Sequence, residues 1–368
     1  MSASKFLLVA LAFFSTLTPS ASQDVFKGHE ALFTKPRGYT VFRTNDQMVI
    51  DGKPQEASWN KVDWSEYFID IEGANKTAPR YKTRFKLLWD TSTLYVLVDL
   101  EEPNLWASIH KRDAIIYQDN DIEIFIDPDG DTHEYYEVEI NAHNTVFDLF
   151  MPRPYRNGGR ARIGWDAAGF RSAVQLKGTL NKPGDKDDSW QVEMAIPFRA
   201  LNASEVLRIP AAGATWRINF SRVQWDLDIV GDRYVKKVDS STRRSLPEHN
   251  WVWSPQGVIN MHYPERWGHV FFSSKAAGAS NPSITTAGNE HLKNYLWLLY
   301  YKQQSYRRQL GRYAASLNEI QLPANIKRKE LEATIQLNAT GDQFNATIAA
   351  TDGTGWKIDE TGKILPVE

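Results

Sequence analysis

The stretch DNDIEIFIDPDGDTHEYYEVEINAHNTVFD, residues 119–148, decides how this chain is read. Ile122, Ile124 and Ile126 alternate with Asp121, Glu123 and Phe125, and beyond Pro128-Asp129-Gly130 the residues Tyr136, Val138 and Ile140 alternate with Glu137, Glu139 and Asn141. A period of two is that of a β-strand, and a Pro-Asp-Gly turn between two such runs folds one strand back on the other. One face of the ribbon is apolar and the other carries carboxylates and an amide. Like charges opposed across a strand pair cost about 0.2–1 kcal/mol per pair, so this face calls for basic neighbours, a cation or a polyhydroxyl ligand.

Short strand-like runs extend on both sides of this ribbon. Arg80, Lys82, Arg84 and Lys86 alternate with Tyr81, Thr83, Phe85 and Leu87, and Trp89-Asp90-Thr91-Ser92 turns the chain into the β-branched and aromatic run 94–98. Further strands are expected at 145–150, 170–177, 189–196, 215–223 and 267–272, with a short helix at 197–202 opened by Pro197. Strands at regular spacing without alternating helices argue for a mainly β chain, with residues 40–272 forming an antiparallel β-sandwich of jelly-roll or immunoglobulin-like type. Residues 273–287 read as a small-residue linker. Beyond them, Leu292, Leu296, Leu299 and Tyr300 give a helical period over 288–318, and 331–337 with 343–350 read as a hairpin. The C-terminal region, 288–368, is thus expected to be a helix plus β-hairpin appendage.

The first 22 residues, with Lys5, the apolar run 6–14 and small residues up to Ser22, read as a secretory signal, with 23–39 a short segment before the sandwich. The apolar run is too short for an ordinary membrane span. The expectation is a secreted or periplasmic protein with no membrane span. The 368 residues include no cysteine, which excludes disulfides, thiolate catalysis and cysteine-held metal clusters. With 43 basic and 45 acidic residues and no basic block, nucleic acid is not an expected partner. Thirteen Trp and fifteen Tyr supply flat amphipathic rings that either stack on sugars or fill a β core.

Five ordered blocks carry a family resemblance: IDGKPQEASWNKV (50–62), LLWDTSTLYVLVDLEEP (87–103), DNDIEIFIDPDGD (119–131), WQVEMAIPFRAL (190–201) and WRINFSRV (216–223). Together they resemble the family 9 carbohydrate-binding modules. The resemblance implies a β-sandwich that binds a poly- or oligosaccharide in the context of polysaccharide breakdown, in a slot between two aromatic rings, often with structural calcium. On the family pattern, the stacking aromatic matches Tyr117, the hydrogen-bonding Glu matches Glu123 and an amide matches Asn141. The basic residue of the partner strand is replaced by Glu139, an amide by Ser221, and the second slot aromatic falls on Met261, with Trp251, Trp253 and His262 close by. Arg217 shares parity with Asn219 and Ser221 and is a candidate for the missing cation.

Asp127, Asp129 and Asp131 have the one-three-five spacing of a calcium loop, with Glu134 as a further ligand, although a Pro-Asp-Gly turn accounts for the same residues. Carboxylates on neighbouring strand positions lie roughly 5–7 Å apart, so any acidic sheet offers glycosidase separations, and a hydrolase acting on O-glycosyl bonds stays open beside non-catalytic binding. A b-type haem sandwich is a third reading, since Met151, Met194 and Met261 lie in the sandwich region with several histidines. The C-terminal helix is a candidate surface for a protein partner.

Overall fold

The computed structural model describes residues 25–204, 206–280, 289–328 and 331–367. The expected signal, 1–22, and residues 281–287 of the expected linker lie outside the described residues. The strands are β1 (Gly38–Arg43), β2 (Ile69–Asp70), β3 (Thr83–Trp89), β4 (Thr93–Glu101), β5 (Asp121–Asp127), β6 (Tyr135–Asn141), β7 (Val146–Met151), β8 (Arg171–Lys177), β9 (Ser189–Pro197), β10 (Thr215–Gln224), β11 (Leu227–Val230), β12 (Arg233–Lys236), β13 (His249–Val252) and β14 (Gly268–Ala276). A helix, α1 (Glu290–Leu310), follows, and then β15 (Asn325–Arg328), β16 (Leu331–Ala339), β17 (Phe344–Ala350), β18 (Gly355–Asp359) and β19 (Ile364–Pro366). Among the described residues no helix is long and apolar enough to cross a membrane.

A single large sheet, ordered β7-β6-β5-β10-β14-β1-β3-β4-β9-β8, curls on itself to make both layers of the sandwich. Its apolar residues from β3, β4 and β9 share one buried cluster with those of β5, β6 and β10. Phe85 of β3 stacks on Phe220 of β10 with ring centroids 4.1 Å apart, a contact between the layers. The layers are joined by β1, which pairs parallel with both β14 and β3, so the sheet is mixed rather than wholly antiparallel. The expected short helix at 197–202 is a 3₁₀ turn, Phe198–Ala200. Gly268 cannot be replaced without movement, because a Cβ there would lie 2.2 Å from the indole of Trp253.

The appendage differs in detail from the expected helix and hairpin. The helix stops at Leu310 because Gly311 turns left-handed (φ 73°) and its N–H caps the carbonyl of Arg307. Five strands follow rather than two, in the meander β15-β16-β17-β18-β19. Leu296, Leu298, Leu299 and Tyr300 of α1 are buried in one core with Ile335, Ile348 and Ile358 of this second sheet.

One buried acid couples the sandwich to pH. Glu193 of β9 accepts the backbone N–H groups of Asp51 (3.3 Å) and Gly52 (2.9 Å) on one oxygen, while its other oxygen is buried without a partner. Burial, with repulsion from Glu56 and Asp51 adding to it, raises its pKa to about 7. The native state therefore keeps a proton that the unfolded chain releases near the usual glutamate value, and this group's contribution to stability falls as pH rises from about 4.5 to 7. Glu193→Gln retains a carbonyl acceptor but does not titrate. Thermal melts at pH 5 and pH 8 are expected to show a decline about 2–5 °C smaller in the variant than in the parent, corresponding to about 1–2 kcal/mol. An unchanged decline would show that the acid is ionised throughout.

Candidate functional site

The acidic face predicted from the 121–141 ribbon becomes the floor of a hollow. The antiparallel register sets Glu123 opposite Glu139, Asp121 opposite Asn141 and Phe125 opposite Glu137, with Ser221 and Val223 of β10 facing Glu123 and Asp121 from the other side. Every residue of β5 and β6 is buried, so this face is not a free surface. A second apolar cluster covers part of it, in which Phe125, Tyr135, Met261 and Trp267 meet. The uncovered part is a hollow of about 450 Å³ lined by Tyr117, Glu123, Glu137, Glu139, Tyr155, Met261 and His262 together with apolar side chains.

Two tyrosines in this lining have a wet side: Tyr117 is 40% exposed and Tyr155 is 45% exposed. The first belongs to the turn before β5, where its N–H donates to Glu139 (3.0 Å) and its carbonyl accepts from the indole of Trp225 (2.9 Å). Tyr155 follows β7 and meets the ring of His262 edge-on at 4.5 Å. Burial raises the pKa of Glu123 and Glu139 well above the usual carboxylate range, with repulsion from Glu139 adding to it for Glu123 and from Glu137 for Glu139. Glu137 is pushed to about 8 for the same reasons. His262 moves the other way, to about 4, through burial and the nearby Arg156, so its ring is neutral at pH 7 and shares a hydrogen bond with the hydroxyl of Tyr135 at 2.8 Å. Carboxylates, partly protonated carboxyls and two half-wet rings can both accept from and donate to a ring of hydroxyls.

Of the residues expected to bind ligand, Tyr117, Glu123 and Met261 line the hollow, and Ser221 is fully buried at its floor beside Glu123. The others are placed elsewhere. Asn141 is spent on its own loop, donating to the carbonyl of Ile109 and to Asp119 and accepting from the N–H groups of His143 and Thr145. Trp251 and Trp253 turn inward and are buried in the main core, because the parity of β13 that was unassigned from sequence points them there. Trp253 donates its indole N–H to Glu66 and Trp251 lies against the guanidinium of Arg222. Arg217 reaches away from the hollow, to the carbonyl of Trp267 (2.9 Å) and to Glu290 of α1 (2.7 Å). Tyr155, Glu137 and His262 line the hollow as well, as do Glu248, Asn250 and Asn260. Parity had already set Glu137 on this face, whereas Tyr155 sits in an irregular Pro/Gly-rich segment that has no period to read.

The candidate calcium turn is also drawn into other work. One oxygen from each of Asp127, Asp129 and Asp131 lies within 4.8 Å of the others. However, Arg208 pairs with both Asp129 and Glu134, and Lys363 pairs with Asp131 at 3.2 Å. Asp127 accepts the N–H groups of Gly130 and Thr132, as the carboxylate of an ordinary turn does. The hydroxyl of Thr132 donates to the carbonyl of Gly362, and the N–H of Ile364 to the carbonyl of Asp131. Two side-chain cations, Arg208 and Lys363, already pair with three of its carboxylates, and Lys363 ties it to the C-terminal sheet, so its residues fit an ion-paired clasp better than they fit a calcium loop.

A second clasp lies behind Tyr155. The next residue, Arg156, pairs with buried Glu265 at 2.9 Å and packs against the rings of Tyr263 (4.1 Å), Tyr300 (5.6 Å) and Trp297 (5.9 Å). Glu265 accepts in turn from the hydroxyl of Tyr301. Asn157 bonds to both Tyr300 and the carbonyl of Thr361. The C-terminal unit thus fixes the segment that carries one of the two wet rings.

Comparison with known proteins bears on the same region. The family model described as carbohydrate family 9 binding domain-like matches residues 50–244, more than half of the chain. The exoglucanase XynX of Acetivibrio thermocellus is 30% identical over 156 residues, covering 42% of this chain and 12% of that protein. The chain therefore matches about an eighth of that relative's length. Solved structures of a family 9 carbohydrate-binding module from Caldicellulosiruptor kristjanssonii, one in complex with glucose and one with cellotriose, are each 21% identical with a TM-score of 0.41. Each covers 67% of this chain, with 100% and 98% of the respective module matched.

Removing Arg156 leaves the Glu265 carboxylate buried without its cation. Breaking a buried pair from one side costs about 3–5 kcal/mol. Chemical denaturation of Arg156→Ala is expected to show a loss of that order, and a loss below about 1 kcal/mol would show that this pair, on which Trp297, Tyr300 and Tyr301 pack, does not anchor the junction with the C-terminal unit.

Proposed function

Residues 50–244 make this chain a member of the carbohydrate family 9 binding domain-like family, and from that premise we propose that it captures a saccharide, without cleaving it, in the hollow above β5 and β6. The observation that carries the reading is the convergence, on one concave site of about 450 Å³, of Glu123, Glu137 and Glu139 with two half-exposed rings, Tyr117 and Tyr155. Rings with one wet side offer an apolar face to the C–H surface of a sugar, and carboxylates hold its hydroxyls. The replacement of the expected second slot aromatic by Met261 is met in space by Tyr155, which reaches the same hollow from a different segment. In place of the basic residue of the family pattern stands Glu139, so the site reads hydroxyls mainly through oxygen atoms.

The wider role proposed for the chain is binding of a poly- or oligosaccharide during polysaccharide breakdown outside the cytoplasm, after export directed by residues 1–22. The C-terminal helix serves this function by bracing the Tyr155 segment, rather than by offering its apolar side to another protein: Leu296, Leu298 and Leu299 are already covered by the second sheet.

Isothermal titration of the full chain with cellotriose, xylotriose and glucose tests the proposal. At least one of them is expected to bind, and Tyr117→Ala and Tyr155→Ala are each expected to weaken it about 5–30-fold, the loss of roughly 1–2 kcal/mol of apolar contact. Glu123→Gln is expected to cost about 2–10-fold, in keeping with one net hydrogen bond. No reducing sugar is expected to be released on prolonged incubation. Affinity unaffected by both tyrosine changes would remove the site, and sugar release abolished by Glu123→Gln would replace a binder with a hydrolase.

A further inference from the structure

We infer that Asp121, Glu123 and Glu139 hold a divalent, oxygen-preferring cation at the floor of the hollow. Among the described residues three groups of three carboxylates bring one oxygen each within 4.8 Å of one another. In two of them side-chain cations are present: Arg112 pairs with Asp148 and Asp166, and Arg208 and Lys363 pair with the members of the 127–131 turn. The group formed by Asp121, Glu123 and Glu139 has no Lys or Arg partner among the described residues, yet it is the most deeply buried, at 0%, 5% and 3% exposure.

A second observation is independent of the clustering. One carboxylate oxygen of Asp121 is buried with no hydrogen-bond partner, and so is the hydroxyl of Ser221, which the β5–β10 ladder sets directly opposite Glu123. Glu137, two residues along β6 and outside the group of three, also has a buried oxygen that accepts no hydrogen bond, with the ring of His262 3.9 Å away. Buried polar atoms in a folded protein are nearly always paired, so several orphans around one point mark a missing partner. The remaining bonds in the group leave the orphan atoms free: the N–H of Val223 donates to the other oxygen of Asp121 at 3.3 Å, and the N–H of Tyr117 donates to one oxygen of Glu139 at 3.0 Å.

The spacing suits an ion. Calcium sits about 2.3–2.6 Å from its oxygens, so oxygens on opposite sides of it are about 4.6–5.2 Å apart and adjacent ones are closer. A donor set made only of carboxylate and hydroxyl oxygens selects calcium, magnesium or manganese over zinc and copper. The strand pairing itself builds the site: Asp121 and Glu123 lie two apart on β5, and Glu139 lies opposite Glu123 on β6. This inference is separate from the saccharide reading, since an ion can bind here whether or not a sugar does.

The test is isothermal titration of the chelator-stripped full-length protein with calcium chloride and, separately, manganese chloride. One ion per chain is expected at this site. Asp121→Asn and Glu139→Gln should each weaken it at least tenfold, while Asp129→Asn, in the turn paired with Arg208, should change it less than twofold. These amide changes remove repulsion rather than packing, and circular dichroism checks that the fold persists; Glu123→Gln replaces either variant if it does not. The absence of saturable binding of either ion, or binding lost in Asp129→Asn and kept in the other variants, overturns the inference. Cellotriose titration of the same stripped protein reports separately on the saccharide reading.

Discussion

Everything at the proposed site follows from burying an acidic strand face. Glu123 and Glu139 face each other across a β ladder with Asp121 and Glu137 beside them, and no residue of β5 or β6 remains exposed. Desolvation and mutual repulsion raise all four carboxyl groups. Such an arrangement works against stability, and a fold keeps it where a ligand or an ion repays the cost. The opposite face of the same two strands carries Ile122, Ile124, Val138 and Ile140 into the main core, which fixes the register of the acids to that of the apolar residues.

The C-terminal unit is part of this construction. It grips the sandwich behind Tyr155, where Arg156 lies among Tyr263, Trp297 and Tyr300, and at the 127–134 turn, where Lys363, Gly362 and Ile364 meet Asp131 and Thr132. A third contact ties Arg217 of β10 to Glu290 at the start of α1. Two of the side chains that the sequence offered as ligand or metal groups, Arg217 and Asp131, instead hold the two units together, through Glu290 and Lys363.

Much of this was legible in the sequence wherever a period of two ran long enough. The 121–141 ribbon, its polar and apolar faces and the strands at 170–177, 189–196 and 215–223 emerge nearly as read. Local pattern failed where partners lie far along the chain. Nothing near Gly38–Arg43 announces that β1 pairs parallel with both β3 and β14. The inward turn of Trp251 and Trp253 depends on β13 joining the far half of β10, and Tyr155 owes its place to a helix about 140 residues later. The shortest strands of the second sheet, such as Ile364–Pro366, are too brief to show alternation at all.

A crystal structure of the full chain with a bound cello- or xylo-oligosaccharide is the most direct test of the central claim. The account predicts a sugar ring against Tyr117 or Tyr155, with a hydroxyl within hydrogen-bond distance of the Glu123 carboxyl group. A saccharide bound on another face, with the hollow filled by water alone, would contradict it.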